Sequence, residues 1–190
     1  HPTLINKKSF VAEIFYRFIP LTFFFVWLFD FITHVGSIVY ILLMLMGGYF
    51  IFIDAPSKIK YHQVLGYFIV MNIGFLGIRS FVGHTFLNDV VANSIGWETS
   101  PFQTELAFCH LGLAVVAIGY LWKQSLDIAL ALVICKSVFW YGAMGVHIYE
   151  LVINNNTNIG NIGINIIYAD LILPSIMLYV LYKAWQQTIP

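Results

Sequence analysis

Long apolar runs constrain this chain more than any other feature. Six can be drawn, at about residues 9–33, 36–53, 62–86, 101–122, 125–151 and 164–185. A helix needs about 20 residues to cross the hydrocarbon core of a bilayer, where backbone groups must be satisfied internally. The runs therefore predict an all-α fold, a polytopic transmembrane helical bundle of about six spans. Composition agrees: 60% of the 190 residues are hydrophobic and 9% are charged, more apolar surface than a soluble domain of this length can hide.

Polar punctuation separates the runs. Asp54-Ala55-Pro56-Ser57 ends the second. A polar loop from Asn88 to Ser100 follows the third, and an Asn/Gly-rich loop from Asn154 to Gly163 follows the fifth. Ser100-Pro101-Phe102-Gln103 reads as a capping box with proline at the first helical position, the sharpest boundary in the chain. Pro174 predicts a kink in the last span. Gly74, Gly77 and Gly112 suggest close helix approach rather than a nucleotide loop.

The first run is the least regular. Lys7 and Lys8 precede it as in a signal peptide, but its length favours a retained helix. Glu13 and Arg17 make it partly amphipathic, so it either spans or lies at the interface. Spaced i,i+4, the two can neutralise each other as an ion pair.

The lysines orient the bundle. With six spans, Lys7, Lys8, Lys58, Lys60, Lys123 and Lys183 share one side, and no Lys or Arg falls in the loops opposite. The positive-inside rule then places both termini in the cytoplasm of, most simply, a bacterial inner membrane. Trp122, Trp185, Tyr61 and Tyr182 fit an inner aromatic belt, and Trp97 an outer one. Asn155-Asn156-Thr157 is a glycosylation sequon, meaningful only in a eukaryotic secretory pathway. Cys109 and Cys135 lie in apolar spans and read as buried free thiols. A formal net charge of zero suggests no nucleic-acid partner.

The remaining polar residues converge near the outer face: Arg79, His84, Asp89, Gln103, Glu105, His110, His147, Glu150 and Asp170. At 100° per residue, Lys136, Trp140, Ala143, His147 and Glu150 share a face of the fifth span, which should turn away from lipid. Glu105 and His110 stand about 140° apart and make poor co-ligands. The candidate ligand site is His84, Asp89, Trp97, Gln103, Glu105, His147, Glu150 and Asp170, with Trp97 as a loop lid.

Blander roles compete at each position. Lys136 could bridge to Asp170 or Glu105, and Arg79 could lock helices through carbonyls and a carboxylate. Glu13, Arg17, Arg79 and Lys136 are thus the candidate structural ion pairs. His84, His147 and Glu150 form a conceivable metal set for a transition metal. Cys109-His110 beside methionines adds only a hint of copper. Haem needs two axial ligands at matching depth and is not expected.

The stretch Gly83-His84-Thr85-Phe86, Asp89, Ala92, Ile95-Gly96-Trp97, Ser100-Pro101-Phe102-Gln103 and Glu105 resembles the signature of an uncharacterised family of small multi-pass bacterial and archaeal membrane proteins. Gly145-Val146-His147-Ile148-Tyr149-Glu150 is similar to its G-H-I-x-E element with one residue inserted, and Asn158 to Gly163, Tyr168-Ala169-Asp170 and Pro174 also look alike. A looser similarity to DoxX-like four-helix membrane proteins covers the same core. The departures are His110, where the pattern has Asn, and Lys136, where it has a neutral residue. The resemblance implies a four-helix core over 57–190, with residues 1–56 adding two N-terminal helices to one membrane domain. It implies no reaction.

Three functions fit these residues. The first is an outward-opening His/carboxylate site that binds or passes a small ligand or ion. The second is a membrane-embedded oxidoreductase or other enzyme acting on a lipophilic substrate. The third is a structural accessory subunit. The partners expected are the lipid bilayer, a small ligand or ion, and either further copies of the chain or a larger membrane complex.

Overall fold

The computed structural model describes residues 36–188. The first apolar run, with Glu13 and Arg17, lies outside the described residues. Among those described, every regular element is helical. In chain order they are α1 (Gly36–Asp54), α2 (Lys60–Phe86), α3 (Asn88–Ile95), α4 (Pro101–Gly119), α5 (Leu126–Ile153), α6 (Ile159–Ile162) and α7 (residues 164–186).

Three of these, α2, α4 and α5, are long and apolar enough to cross a membrane. The apolar part of α1, Val39–Asp54, is shorter. In α2, 67% of the apolar window is buried within the protein, against 22% in α4 and 33% in α5. That difference makes α2 the central helix. It packs on α1, on α4 and on α7, while α7 also packs along α5. The outward faces of α4 and α5 display Phe102, Phe108, Val115, Val138, Ile148 and Val152, all exposed. A continuous apolar face of that extent would be costly in water and is at home in lipid.

Small residues set the spacing of α2 and α4. A Cβ on Gly77 would stand 3.0 Å from both the Ala114 Cβ and the His110 carbonyl oxygen, and one on Gly74 would stand 3.3 Å from the Ile118 side chain. Gly112 differs from expectation: among the described residues, no helix approaches within 4 Å of the Cβ it would carry. Cys109 and Cys135 are exposed rather than buried, on the apolar surface.

Two helices contain a π-turn. In α2 it covers Ile69–Phe75, closed by the Leu76 N–H bonding the Met71 carbonyl five residues back. In α7 it covers Tyr168–Ile172, closed by the Leu173 N–H on the Tyr168 carbonyl. Pro174 explains the second. It has no N–H to give the Asp170 carbonyl four residues earlier, so the helix loosens there instead of only bending. The kink expected at Pro174 is thus a change of register that carries Tyr168 and Asp170 inward, where both are buried.

Both polar loops hold a short helix. Residues 87–100 contain α3, ended by Gly96 at φ 75°, a left-handed position that suits glycine. Residues 154–163 contain α6, whose N-cap Asn158 accepts from the Gly160 N–H at 2.9 Å. The two pack together so closely that a Cβ on Gly160 would collide with the Ser94 carbonyl. Asn156 reinforces the join by donating to the Ile95 carbonyl at 2.9 Å. The capping box at Ser100 does not form through side chains. Gln103 instead donates to the Asn88 carbonyl at 3.0 Å and ties α4 to the start of α3.

The opposite end is closed by Gln187. Its amide nitrogen donates to the Ser57 carbonyl at 2.6 Å, and its oxygen accepts from the Tyr61 N–H at 3.3 Å. Lys60 lies over the Phe52 ring at 4.3 Å nearby.

Candidate functional site

The face of α5 carrying Lys136, Trp140 and His147 turns inward, and all three are buried, as a regular 3.6-residue helix requires. Around this face the polar residues form two groups, one under the α3/α6 cover and one deeper.

His147 centres the first group. Asn161 donates its two amide hydrogens to the carbonyls of His147 (3.3 Å) and Asn156 (3.1 Å), so its oxygen faces His147 Nδ1 at 2.7 Å. An oxygen there requires Nδ1 to carry the hydrogen. His147 Nε2 then points at Asp170 Oδ2, 3.8 Å away. That is an ion-pair separation rather than a hydrogen bond. The Trp97 indole stacks on the imidazole at 5.3 Å and 28°.

Lys136 centres the second group. Its Nζ lies 2.6 Å from His110 Nδ1. Two cations could not make this contact, since both would be donors with no acceptor between them. The Phe139 and Trp140 rings flank the amine at 4.5 and 5.0 Å. Phe139 also meets the His110 ring edge-on at 4.9 Å. The His84 ring stacks parallel to that of His110, at 6.3 Å and 9°. Asp170 and Lys136 are near enough to interact electrostatically, without a direct contact. Arg79 acts electrostatically on both His84 and Tyr40. The Tyr40 hydroxyl donates to Asn72 Oδ1 at 2.7 Å, within the π-turn of α2.

Six buried polar side-chain atoms have no hydrogen-bond partner among the described residues: Gln63 Oε1 near the Gln187 end, and His84 Nδ1, Thr85 Oγ1, Trp97 Nε1, Ser137 Oγ and Tyr168 Oη. Buried polar atoms are ordinarily paired, so each of these calls for a partner such as water or a bound species.

The sequence-derived candidates divide accordingly. His84, Trp97, His147 and Asp170 belong to these groups. Asp89 is exposed and accepts from the Thr99 hydroxyl at 2.6 Å, closing its own loop. Gln103 holds α3, as above. Glu105 is exposed on α4, opposite buried His110. Glu150 accepts from the Asn154 amide at 2.8 Å. The expected bridge of Lys136 to Asp170 or Glu105 is replaced by His110 as its direct partner. The metal set His84, His147 and Glu150 is not brought together, and no three His, Cys, Asp or Glu side chains among the described residues gather into a metal-binding group. His110 was excluded as a co-ligand of Glu105, but it belongs to the deeper group. Asn161 was missed altogether: in sequence it is one of several asparagines in a polar loop. The two departures from the motif pattern, His110 and Lys136, touch each other.

Helices of this length and hydropathy define an all-helical integral membrane protein of unknown activity. The chain belongs to a family of unknown function, DUF6790, whose model matches residues 33–189. No curated protein and no solved structure matches it.

Proposed function

We propose that the protein binds or passes a small polar ligand or ion at the interior site formed by His84, Trp97, His110, Lys136, His147 and Asp170. The observation that carries this reading is that buried His84 Nδ1, Trp97 Nε1, Ser137 Oγ and Tyr168 Oη have no hydrogen-bond partner among the described residues. Each costs about 1–3 kcal/mol if left unpaired, a penalty that a bound polar species would relieve.

Access is from the α3/α6 end. Lys58, Lys60, Lys123 and Lys183 cluster at the other, so the positive-inside rule makes the α3/α6 end the outer, periplasmic one. The helix over 164–186 begins beside α6 and ends where Gln187 meets Ser57 and Tyr61, so it traverses the same thickness as its neighbours. With α1 it adds two crossings to the three long helices.

Thermal unfolding in nanodiscs, titrated with halides, small carboxylates, amino acids and alkali cations, tests the reading. A ligand at a hundredfold its Kd stabilises by about 2.7 kcal/mol. The expected result is stabilisation by one chemical class that is lost in His147→Ala and Asp170→Asn. Stabilisation by none, or by one class equally in both variants, would sink the proposal. An enzymatic reading, suggested by the DoxX-like similarity, draws on the His147–Asp170 pair as acid and base. Turnover of a lipophilic substrate would separate it from simple binding.

A further inference from the structure

Toward the lysine-bearing end, α1 and α7 each pack on α2 but barely touch one another. Between them lies a groove of about 300 Å³. Leu45, Tyr49 and Phe52 form one wall, spaced as one face of α1. Ile176, Tyr179 and Val180 of α7 form the other, and Val64 and Phe68 of α2 form the floor. Tyr49 and Tyr179, one from each wall, are exposed, so the groove opens outward. Along α2 it reaches from Tyr61 to Phe68, about 10 Å at 1.5 Å per residue. That is most of the roughly 15 Å of hydrocarbon in one leaflet.

Two cations border this groove. Lys60 Nζ lies 4.3 Å from the Phe52 ring and 5.6 Å from the Tyr61 ring, both of which line it. Lys183 Nζ lies 5.9 Å from the ring of Tyr179, on the opposite wall. Neither ammonium meets a carboxylate among the described residues, and Lys183 donates only to the neutral Gln186 Oε1, at 3.1 Å. Asp54, at the end of α1, is exposed and pairs with neither lysine. An apolar channel with two uncompensated cations beside its polar end is complementary to a molecule with an anionic head and an apolar tail.

We propose that the groove holds an acyl chain of an anionic phospholipid, with its phosphate between Lys60 and Lys183. Lysines at the membrane surface attract anionic headgroups, and aliphatic and aromatic walls accept the chain. A zwitterionic lipid with an ethanolamine head fits less well, because it adds a third ammonium beside the other two. A second copy of this chain fits less well too. Side by side in one membrane, it would bring its own lysine-bearing end to the same level. The proposal takes α1 and α7 as crossings and makes no use of the interior site around His147 and Lys136.

Native mass spectrometry of the full chain, released from detergent and titrated with dioleoylphosphatidylglycerol or dioleoylphosphatidylethanolamine, tests this. The expected result is one retained phosphatidylglycerol, bound about tenfold more tightly than phosphatidylethanolamine. Replacing both cations, Lys60→Gln with Lys183→Gln, should remove that preference, a loss of about tenfold or 1.4 kcal/mol. Lys123→Gln, an exposed lysine that does not border the groove, should leave it intact. Leu45→Trp fills the groove from an exposed position and should weaken both lipids. An unchanged thermal midpoint in detergent shows that each variant is folded, and should Leu45→Trp fail to fold, the lysine pair still decides the matter. Equal affinity for the two lipids, an equal loss in Lys123→Gln, indifference of folded Leu45→Trp, or a doubled mass in place of a retained lipid overturns the proposal. Maleimide labelling of Thr188→Cys on the same side as Ser57→Cys tests the crossing by α7 separately. That labelling without lipid retention would strike the lipid and leave the crossing standing.

Discussion

Asn161 spends its whole amide on holding the site. Both hydrogens and the oxygen are engaged, and it is 1% exposed, so no water can substitute when it is lost. Asn161→Ala frees the His147 ring and leaves its Nδ1 and the Asn156 carbonyl without their Asn161 partner. Destabilisation of roughly 1–3 kcal/mol is expected by chemical denaturation in detergent. Asn154→Ala, which removes an exposed bond to Glu150, should stay within about 0.5 kcal/mol. The Lys136–His110 contact makes a second prediction at this scale. Lys136→Met and His110→Leu each strand a buried polar partner, whereas the double substitution leaves none. The cycle should therefore show a favourable coupling of about 0.5–3 kcal/mol, and strict additivity would mean that the 2.6 Å contact is energetically idle.

Among the elements, the α2–α4 seam is where backbone spacing is set by absent side chains. Gly77→Ala places a methyl 3.0 Å from a carbonyl oxygen and an Ala methyl, and a carbonyl in a helix cannot turn aside. Its cost should be about 1–3 kcal/mol, while Gly112→Ala, which meets nothing, should gain up to about 1 kcal/mol from helix propensity. Equal effects in both, measured by unfolding in detergent, would show that the seam is looser than described. The sequence treated these two glycines alike because nothing local distinguishes them; only the partner helix does. The same limit explains what else was and was not legible. The long helices could be read because each apolar run exceeds a bilayer and ends in Pro, Asn or Gly. The inward face of α5 could be read because its register is regular from Lys136 to His147. The π-turn in α7 breaks that regularity, so no count at 100° per residue could aim Tyr168 and Asp170. The helices α3 and α6 escaped because each is short and polar and is held by the other, through Gly160, Ser94 and Asn156, rather than by its own propensity.

For the whole molecule, the arrangement of ends carries the functional reading, because a one-sided site has meaning only if the sides are distinct. Four exposed positions sample the connections in turn: Ser57 before α2, Thr99 between α2 and α4, Lys123 between α4 and α5, and Thr188 after α7. Three crossings separate Ser57 from the loop after α5, and a further one by residues 164–186 would return the chain to the side of Ser57. The hydrogen bonds from Gln187 to Ser57 and Tyr61 support the proposed return, since partners 2.6 and 3.3 Å apart cannot lie across a bilayer. Single cysteines at these positions, and at exposed Asn155, can be placed in a Cys109→Ala, Cys135→Ala background and probed in intact bacterial cells with a membrane-impermeant maleimide. Thr99→Cys and Asn155→Cys should label in intact cells. Ser57→Cys, Lys123→Cys and Thr188→Cys should label only after permeabilisation, because lysine-rich ends stay in the cytoplasm. The mirror-image pattern would keep the bundle but turn the site toward the cytoplasm. Labelling of Thr188→Cys on the same side as Asn155→Cys would break the fold itself, since α7 could not then run from α6 to Ser57.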